Sequence, residues 1–582
     1  FLLVPDGSTF RFSFESYGKA PALFDLATRQ LILDGSAIGL TAPLTTLSGV
    51  EVTEWEDTFN PKLNGEPLIL DDYERSRSLA LAPNGESFVL GTNWGLRCFD
   101  KQGRELWNVP VPGTVWGVNI PANGKVVVAT FADGTIRWYR LKDGKELLAF
   151  FSHADQKRWV LWTPSGYYDA SVGGEDLIGW QVNRSKDKAA DFFPASRFRD
   201  TYYRPDIVAK ALTTLDEEEA VCQANAERGI AKGATPIKDL LPPVIEIIEP
   251  ADGNISASST TVTLSYRVRS TDNQIPKVRA EVNYRPVPTV TPKGGAGKQG
   301  EGEIKVTIPE EDCEIALFAE NNNALSTPVI IHVKWQGKAS AIVVKPRLII
   351  LAVGINDYQD RALKQLKYAT KDANDFSTVF MQQEGLLYSK VITKVITDAT
   401  TSRDKILEGL EWLEENTTNK DIAVIFLSGH CVNDREGRYY FLPSNGFTER
   451  LKVTGLPLSS IKETVAALPG KVLLFLDTCH AGNVDLNGII NTLSGSGVGA
   501  IVFASSNGQQ QSLELEAFKN GAFTKALVEG LYGDAADKKG KITVPSLESY
   551  VSDRVEELTN KQQTPVVGKP LTPTYPIAIK KQ

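Results

Sequence analysis

Five apolar runs in the C-terminal part of this 582-residue chain leave little freedom of fold: "LIILAVG" (348–354), "KVITKVIT" (390–397), "IAVIFLSG" (422–429), "KVLLFLD" (471–477) and "GAIVFASS" (499–506). They lack the polar alternation of a half-exposed strand, as expected when both faces are buried. Stretches with helical spacing separate them at 362–383, 402–415 and 459–468, and others follow at 521–531 and 545–558. Strand–helix alternation predicts an α/β domain over 345–582, with a mainly parallel sheet flanked by helices and joined by right-handed crossovers. Sheets of this kind place their sites at the carboxyl ends of their strands.

Two of those ends carry reactive groups. "IAVIFLSGH" delivers His430 and "VLLFLDTCH" delivers Cys479. If the two strands are neighbours, imidazole and thiol face each other across a cleft. A cysteine at a strand-to-helix turn lies near the positive end of a helix, which with a nearby imidazole favours the thiolate. Gly429 lets the backbone turn before His430, and Gly482 permits a tight exit after Cys479. His430 is then the general base and acid, and backbone N–H groups near Cys479 stabilise the oxyanion. This chemistry needs no metal and no cofactor. Other readings stay open here. A strand-end cysteine also serves as a small buried hydrophobe. His480 could replace His430, and His430, His480, Cys431 and Cys479 could hold zinc, although adjacent pairs lack the usual spaced chelate. Only four histidines occur in the whole chain and two lie here, which favours the Cys479–His430 dyad.

The N-terminal third repeats. "APNGESFVLGTNWGLRCFDKQG" (82–103) aligns with "PANGKVVVATFADGTIRWYRLKDG" (121–144), Gly85 meeting Gly124 and Gly95 meeting Gly134 at a spacing of 39 residues. "TPSGYYDASVGGEDLIGWQV" (163–182) gives a further copy, and "VPDGSTFRFSF" (4–14) begins an earlier one. A turn glycine, an alternating strand, a second glycine turn and an aromatic strand make the pattern of a propeller blade. Residues 1–204 are therefore expected to form part of a β-propeller, with room for about five periods, that binds a protein partner. Residues 205–241 have helical spacing and acidic charge and read as a connecting helix. From 242 to 340 short alternating segments between Pro, Gly and Asn turns predict a β-sandwich of immunoglobulin type. Its insert "TPKGGAGKQGEG" (291–302) reads as a hairpin tip, and Cys313 and His332 as ordinary strand residues.

A net charge of −8 argues against nucleic acid or an anionic membrane as a general partner, and the apolar runs are shorter than a membrane helix requires. Five scattered cysteines read as free thiols in a reducing compartment. The sequence opens "FLLVPDG" without an initiator Met, so it reads as starting after other residues, with room for a signal peptide. "DAADKKGKITVPSLE" (534–548) is similar to a calcium-binding loop but has lysines at 538 and 539, and reads as an ordinary turn before a helix.

"SGH" after one strand and "DTCHAG" after the next, with 49 residues from His430 to Cys479, resemble the caspase-like clan of cysteine peptidases, closest to its bacterial and metacaspase-like members. "AVGINDY" (352–358), "LKYATKDANDF" (366–376), "GAFTKALVEGL" (521–531) and "KQQTP" (561–565) extend the resemblance, as does a propeller and an immunoglobulin-like module ahead of the catalytic domain. It implies a bacterial, cytoplasmic endopeptidase acting on proteins or peptides. In metacaspase-like members the positions of Asp477 and Asp372 line the pocket for the side chain before the scissile bond, which implies cleavage after Arg or Lys. A capping or turn role for Asp477 and an exposed helix position for Asp372 are the plainer alternatives.

Two departures stand out. Cys431 replaces the glycine that relatives carry after the histidine, a position whose backbone N–H helps bind the oxyanion in them. A second thiol there raises the idea of an inactivating Cys431–Cys479 disulfide, against the plainer reading that Cys431 fills space. The segment after Cys479 is also short, lacking the basic, cleavable loop of many relatives between Val484 and Asp485. The rival overall reading is a catalytically weak or inactive scaffold built on the same fold.

Overall fold

The computed structural model describes the chain apart from residues 16–17, 37–38, 184–185, 187–188, 230–240, 270–275, 284, 288, 291–298, 322–324, 338–344, 399–400, 481–485, 496–497, 508–509, 511, 570–574 and 582. Gly482, the Val484–Asp485 junction and most of the 291–302 insert lie outside the described residues. The chain divides into two units, residues 1–234 and 235–582.

The first unit is built from antiparallel sheets. Strands at Leu2–Leu3, Thr9–Ser13, Pro21–Asp25 and Gln30–Leu33 pair in chain order, as do those at Ser76–Leu81, Ser87–Thr92, Gly95–Asp100 and Glu105–Pro110. The repeat has a physical core in one recurring turn. Gly7, Gly85, Gly124 and Gly166 all have positive φ and all donate their N–H to the carbonyl three residues back. Only glycine adopts that conformation without cost, which is why it recurs. The copy at 163–182 departs from the expected pattern. Its strand Tyr168–Ala170 joins the sheet begun at Val115–Asn119, making six strands in chain order, and Gly179–Val182 pairs with Asp191–Pro194 instead. Aromatic rings close the packing, Phe10 lying 5.1 Å from Trp138 and Phe24 4.4 Å from Phe150.

The expected connecting helix is two helices. Pro205–Thr214 ends at Leu215, whose left-handed backbone (φ 56°) stops it, and Asp216 caps Glu217–Arg228 by accepting the N–H groups of Glu218 and Glu219. Val208 of the first joins Leu147 and Leu148 in the core, so this helix packs on the sheets of its own unit.

The second unit begins with two sheets that share one core. Strands at Val244–Glu249, Thr261–Arg269, Gln299–Thr307 and Thr289–Val290 form one, and Asn254–Ala257, Val329–Trp335, Cys313–Glu320, Lys277–Val282 and Arg285–Val287 the other. Leu264 and Ile304 face Ile315 and Ile331 between them. The pairing of Asn254–Ala257 with Val329–Trp335 is parallel, the others antiparallel.

The apolar runs then assemble as a mixed sheet. In chain order its elements are β1 (Arg347–Gly354), α1 (Ala369–Met381), β2 (Lys390–Thr397), α2 (Arg403–Asn416), β3 (Ile422–Asn433), α3 (Leu458–Ala467), β4 (Lys471–His480), α4 (Leu486–Ser494), β5 (Ile501–Ala504), α5 (Ala522–Glu529), α6 (Val544–Leu558) and β6 (Val566–Gly568). The strand order is β2-β1-β3-β4-β5-β6, parallel except for β6. Phe376 of α1, Phe523 and Leu527 of α5, and Leu547 and Val551 of α6 cover the face carrying Ile350, Phe426 and Phe475. The helix expected at 362–383 starts only at Ala369, because residues 355–368 are tied into a loop by side chains described below. Residues 537–541 form a tight turn in which the Asp537 carboxylate accepts the N–H groups of Lys539 and Lys541.

Candidate active site

The strand order reverses at β1. The chain steps from β1 outward to β2, then returns to the other side of β1 as β3. Crevices at such switch points, beyond the carboxyl ends of the strands, are where open α/β sheets hold ligands. Here β1 ends at Gly354, level with Ser428, while β3 and β4 run on together through the pairs Ser428↔Asp477, Gly429↔Thr478, His430↔Cys479 and Cys431↔His480. His430 and position 479 are thus register partners on adjacent strands.

Because β1 has stopped, the N–H of His430 has no strand partner on that side. The Tyr358 hydroxyl takes its place, accepting that N–H at 2.7 Å. Its ring lies 4.9 Å from the imidazole, tilted by 45°. On the same edge the strand Tyr439–Phe441 pairs with the extension of β3, and the His430 carbonyl accepts the N–H of Leu442. The backbone does not turn before His430 as expected. The strand continues to Asn433, and Gly429 is needed for space, since a Cβ there would stand 2.6 Å from the Tyr358 oxygen and 3.2 Å from the Phe441 ring.

His430 is 6% exposed, and its Nε2 lies 2.6 Å from the Lys364 carbonyl oxygen. A carbonyl can only accept, so Nε2 carries the proton and Nδ1 keeps the basic lone pair of the neutral ring. The loop that supplies Tyr358 and Lys364 is held from several directions. Gln365 brackets Tyr358, its Oε1 accepting the Tyr358 N–H at 2.7 Å and its Nε2 donating to the Tyr358 carbonyl at 2.9 Å. Asp360 accepts both the N–H and the hydroxyl of Thr448, and Asp398 accepts the N–H of Asn356.

Asp477 and Asp372 come together. Asp477 stands two positions before Cys479 on β4, and Asp372 lies on α1 against the same face of the sheet. They are 4% and 2% exposed, so Asp372 is not the exposed helix carboxylate of the plainer reading. Asp477 does cap a helix, accepting from the Thr524 hydroxyl and N–H near the start of α5, as well as from the Ser512 hydroxyl at 2.6 Å. Asp372 accepts from the Gly521 N–H at 3.1 Å and from Asn520 Nδ2 at 2.9 Å. A Cβ on Gly521 would lie 2.9 Å from one Asp477 oxygen and 3.2 Å from one of Asp372, so the two carboxylates converge beside that glycine. Burial, and then the charge of Asp477, pushes the Asp372 carboxyl well above its usual range. Burial raises Asp477 too, against the hydrogen bonds from Ser512 and Thr524. Two buried, mutually repelling acids are an energetically poor arrangement unless a cation joins them.

Cys431 is fully buried, and burial pushes its thiol up to about 12. It is one residue out of phase with position 479, so the two fall on opposite faces of the sheet. That placement favours the space-filling reading over a disulfide. Of the neighbours that hold the site, Tyr358 and Gly521 fall within stretches already picked out in the sequence. Ser512 does not, because it lies in a loop whose partners are 35 and 51 residues away.

No family model and no curated protein matches the chain. Among solved structures, a Geobacter sulfurreducens protein is 16% identical with a TM-score of 0.31, covering 40% of this chain and all of its own. Pro-sf-caspase-1 is 13% identical with a TM-score of 0.27, over 42% of this chain and 94% of its own, and BamB from Moraxella catarrhalis 14% with a TM-score of 0.17, over 22% and 44%. Likenesses this slight leave the geometry of the site to carry the functional reading.

Proposed function

We propose that the chain is a cysteine endopeptidase with a caspase-like catalytic domain that cleaves proteins after Arg or Lys. The observation that carries this reading is the pairing of His430 with Cys479 on adjacent strands, with two buried carboxylates one step back on the same sheet face. Nδ1 of His430 takes the thiol proton, and the thiolate adds to the scissile carbonyl carbon. The carbonyl oxygen gains the negative charge, which main-chain N–H groups beside positions 479 and 431 are suited to receive. Collapse breaks the C–N bond while the imidazolium protonates the departing amine, leaving a thioester. Water, deprotonated by His430, hydrolyses the thioester and restores the thiol.

Asp372 and Asp477 would receive the guanidinium or ammonium before the scissile bond. The repeated glycine turns of residues 1–204 support a partial β-propeller, and the two facing sheets of 242–340 an immunoglobulin-like module, with 205–241 between them. We assign to the propeller the recruitment or restraint of the peptidase by a protein partner. The thiols of Cys98, Cys222 and Cys313, joined in no disulfide, fit a reducing bacterial cytoplasm.

The test is hydrolysis of fluorogenic peptides ending in Arg, Lys, Asp or a neutral residue, by the wild type and Cys479→Ala under reducing conditions. Cleavage after Arg and Lys that disappears in Cys479→Ala is expected, and cleavage only after Asp would remove the roles given to Asp372 and Asp477. If no peptide is cut, a thiol-directed probe decides. Selective modification of Cys479 over the exposed Cys222 and over the buried Cys98 and Cys313, whose thiols burial raises to about 12 and about 11, would leave a latent enzyme. Equal reactivity would establish the scaffold reading.

A further inference from the structure

The "KQQTP" stretch has no part in the chemistry above, yet its Gln563 is completely buried beside the acidic pair. Its side-chain oxygen accepts the N–H of Leu513 at 2.8 Å, and its Nε2 donates to the Ser505 carbonyl at 2.8 Å and to the Ser512 hydroxyl at 3.4 Å. Ser505 follows directly on β5, so the amide bridges the end of that strand to the loop that returns toward α5. The next residue repeats the grip, the Thr564 N–H donating to Gln510 Oε1 at 2.7 Å.

What that loop holds is the pocket. The Leu513 N–H goes to Gln563, and the Leu513 carbonyl accepts the N–H of Ala522 at 2.8 Å, next to the Gly521 N–H that serves Asp372. Ser512 has a single hydroxyl hydrogen. With its oxygen accepting from Gln563, that hydrogen is directed to Asp477 Oδ1 at 2.6 Å. We propose that Gln563 is the positioning residue of the acidic pocket, an amide that fixes Ser512 and Leu513 and through them aims the Asp477 carboxylate at a basic substrate side chain. The proposal rests on the reading of Asp372 and Asp477 as the pocket for that side chain. Glutamine suits the position because one planar group must offer an acceptor to Leu513 and donors to Ser505 and Ser512. Glutamate lacks the donors and asparagine is one methylene short.

The experiment uses the full chain with Gln563→Leu, Ser512→Ala and the double substitution. Each is assayed for kcat and KM on an Arg-terminated peptide and, in a Cys479→Ala background, for calorimetric binding of N-acetyl-arginine amide. A hydrogen bond to a charged group supports an expected rise of roughly tenfold in both KM and Kd for either single substitution, with kcat held within about threefold. Because Gln563 acts through Ser512, the double substitution should be no worse than the worse single one. Unchanged Kd in Ser512→Ala, or effects that multiply in the double variant, would overturn the proposal, and Ser512→Ala decides alone if Gln563→Leu fails to fold. An amide that does not bind the parent chain also overturns it. If Cys479→Ala binds the amide but the wild type cuts no peptide, the pocket stands and the thiol-directed probe decides the peptidase reading.

Discussion

At the scale of single residues, the site depends on groups whose ordinary hydrogen-bond partners are missing and have been replaced. His430 loses its strand partner where β1 ends and gains the Tyr358 hydroxyl, and its ring gains the Lys364 carbonyl. Asp372 carries the opposite problem, a charge disfavoured where it stands. Its carboxyl is held above the unfolded value, chiefly by burial and then by Asp477, so the folded chain retains a proton that the unfolded chain has released. Stability is therefore fully present below the usual Asp range, near about 3.9, and falls as pH rises from there through the raised folded value. Asp372→Asn removes that loss. We expect little change in melting temperature at pH 4 and an increase at pH 8, at about 2–4 °C per kcal/mol recovered, together with weaker cleavage after Arg. Melting curves of the two proteins across that range give the answer. A gain that does not grow with pH would mean the carboxyl is not under the strain described.

At the scale of elements, α5 begins where the pocket is made. Gly521 is its N-cap, with φ −61° and ψ 144°, a conformation open to any residue, and serine or aspartate would cap better. Space rather than backbone freedom explains the glycine, since a Cβ would press against the two carboxylates. Gly521→Ala should therefore fold normally and raise KM for basic substrates roughly tenfold, measured beside its circular dichroism. The sheet was legible because β1, β3, β4 and β5 are buried and carry an unbroken apolar signal, while the edge strand β2 is mostly half-buried, and the register of His430 with position 479 followed from two strand ends. The start of α1 was not, because "ALKQLKY" has helical spacing while Gln365, Asn356 and Asp398 hold the preceding loop by long-range hydrogen bonds. Gly429 was recognised as necessary, but the crowding by Tyr358 and Phe441 that a Cβ would meet there left no local signal. Ser512 left no local pattern, and Gln563 stood in the "KQQTP" stretch without an assigned role, because their meaning lies in each other.

At the scale of the whole molecule, the two units should report on unfolding separately. Eight of the ten tryptophans fall within residues 1–234 and only Trp335 and Trp412 beyond, so tryptophan fluorescence follows the first unit. The far-ultraviolet signal of helices comes mainly from the second, which contains α1 to α6. Denaturant curves by the two probes are expected not to coincide, and superimposable curves would mean that the units unfold as one. The continuous pairing of β3 with β4 through His430 and position 479 has a last consequence. Moving one strand along the other would require shearing a continuously paired ladder, and a slip of one residue reverses every side chain on the strand. On the proposed reading the dyad would be as durable as the sheet itself, and a natural brake would work by shutting the door on the substrate, leaving the pair cocked behind it.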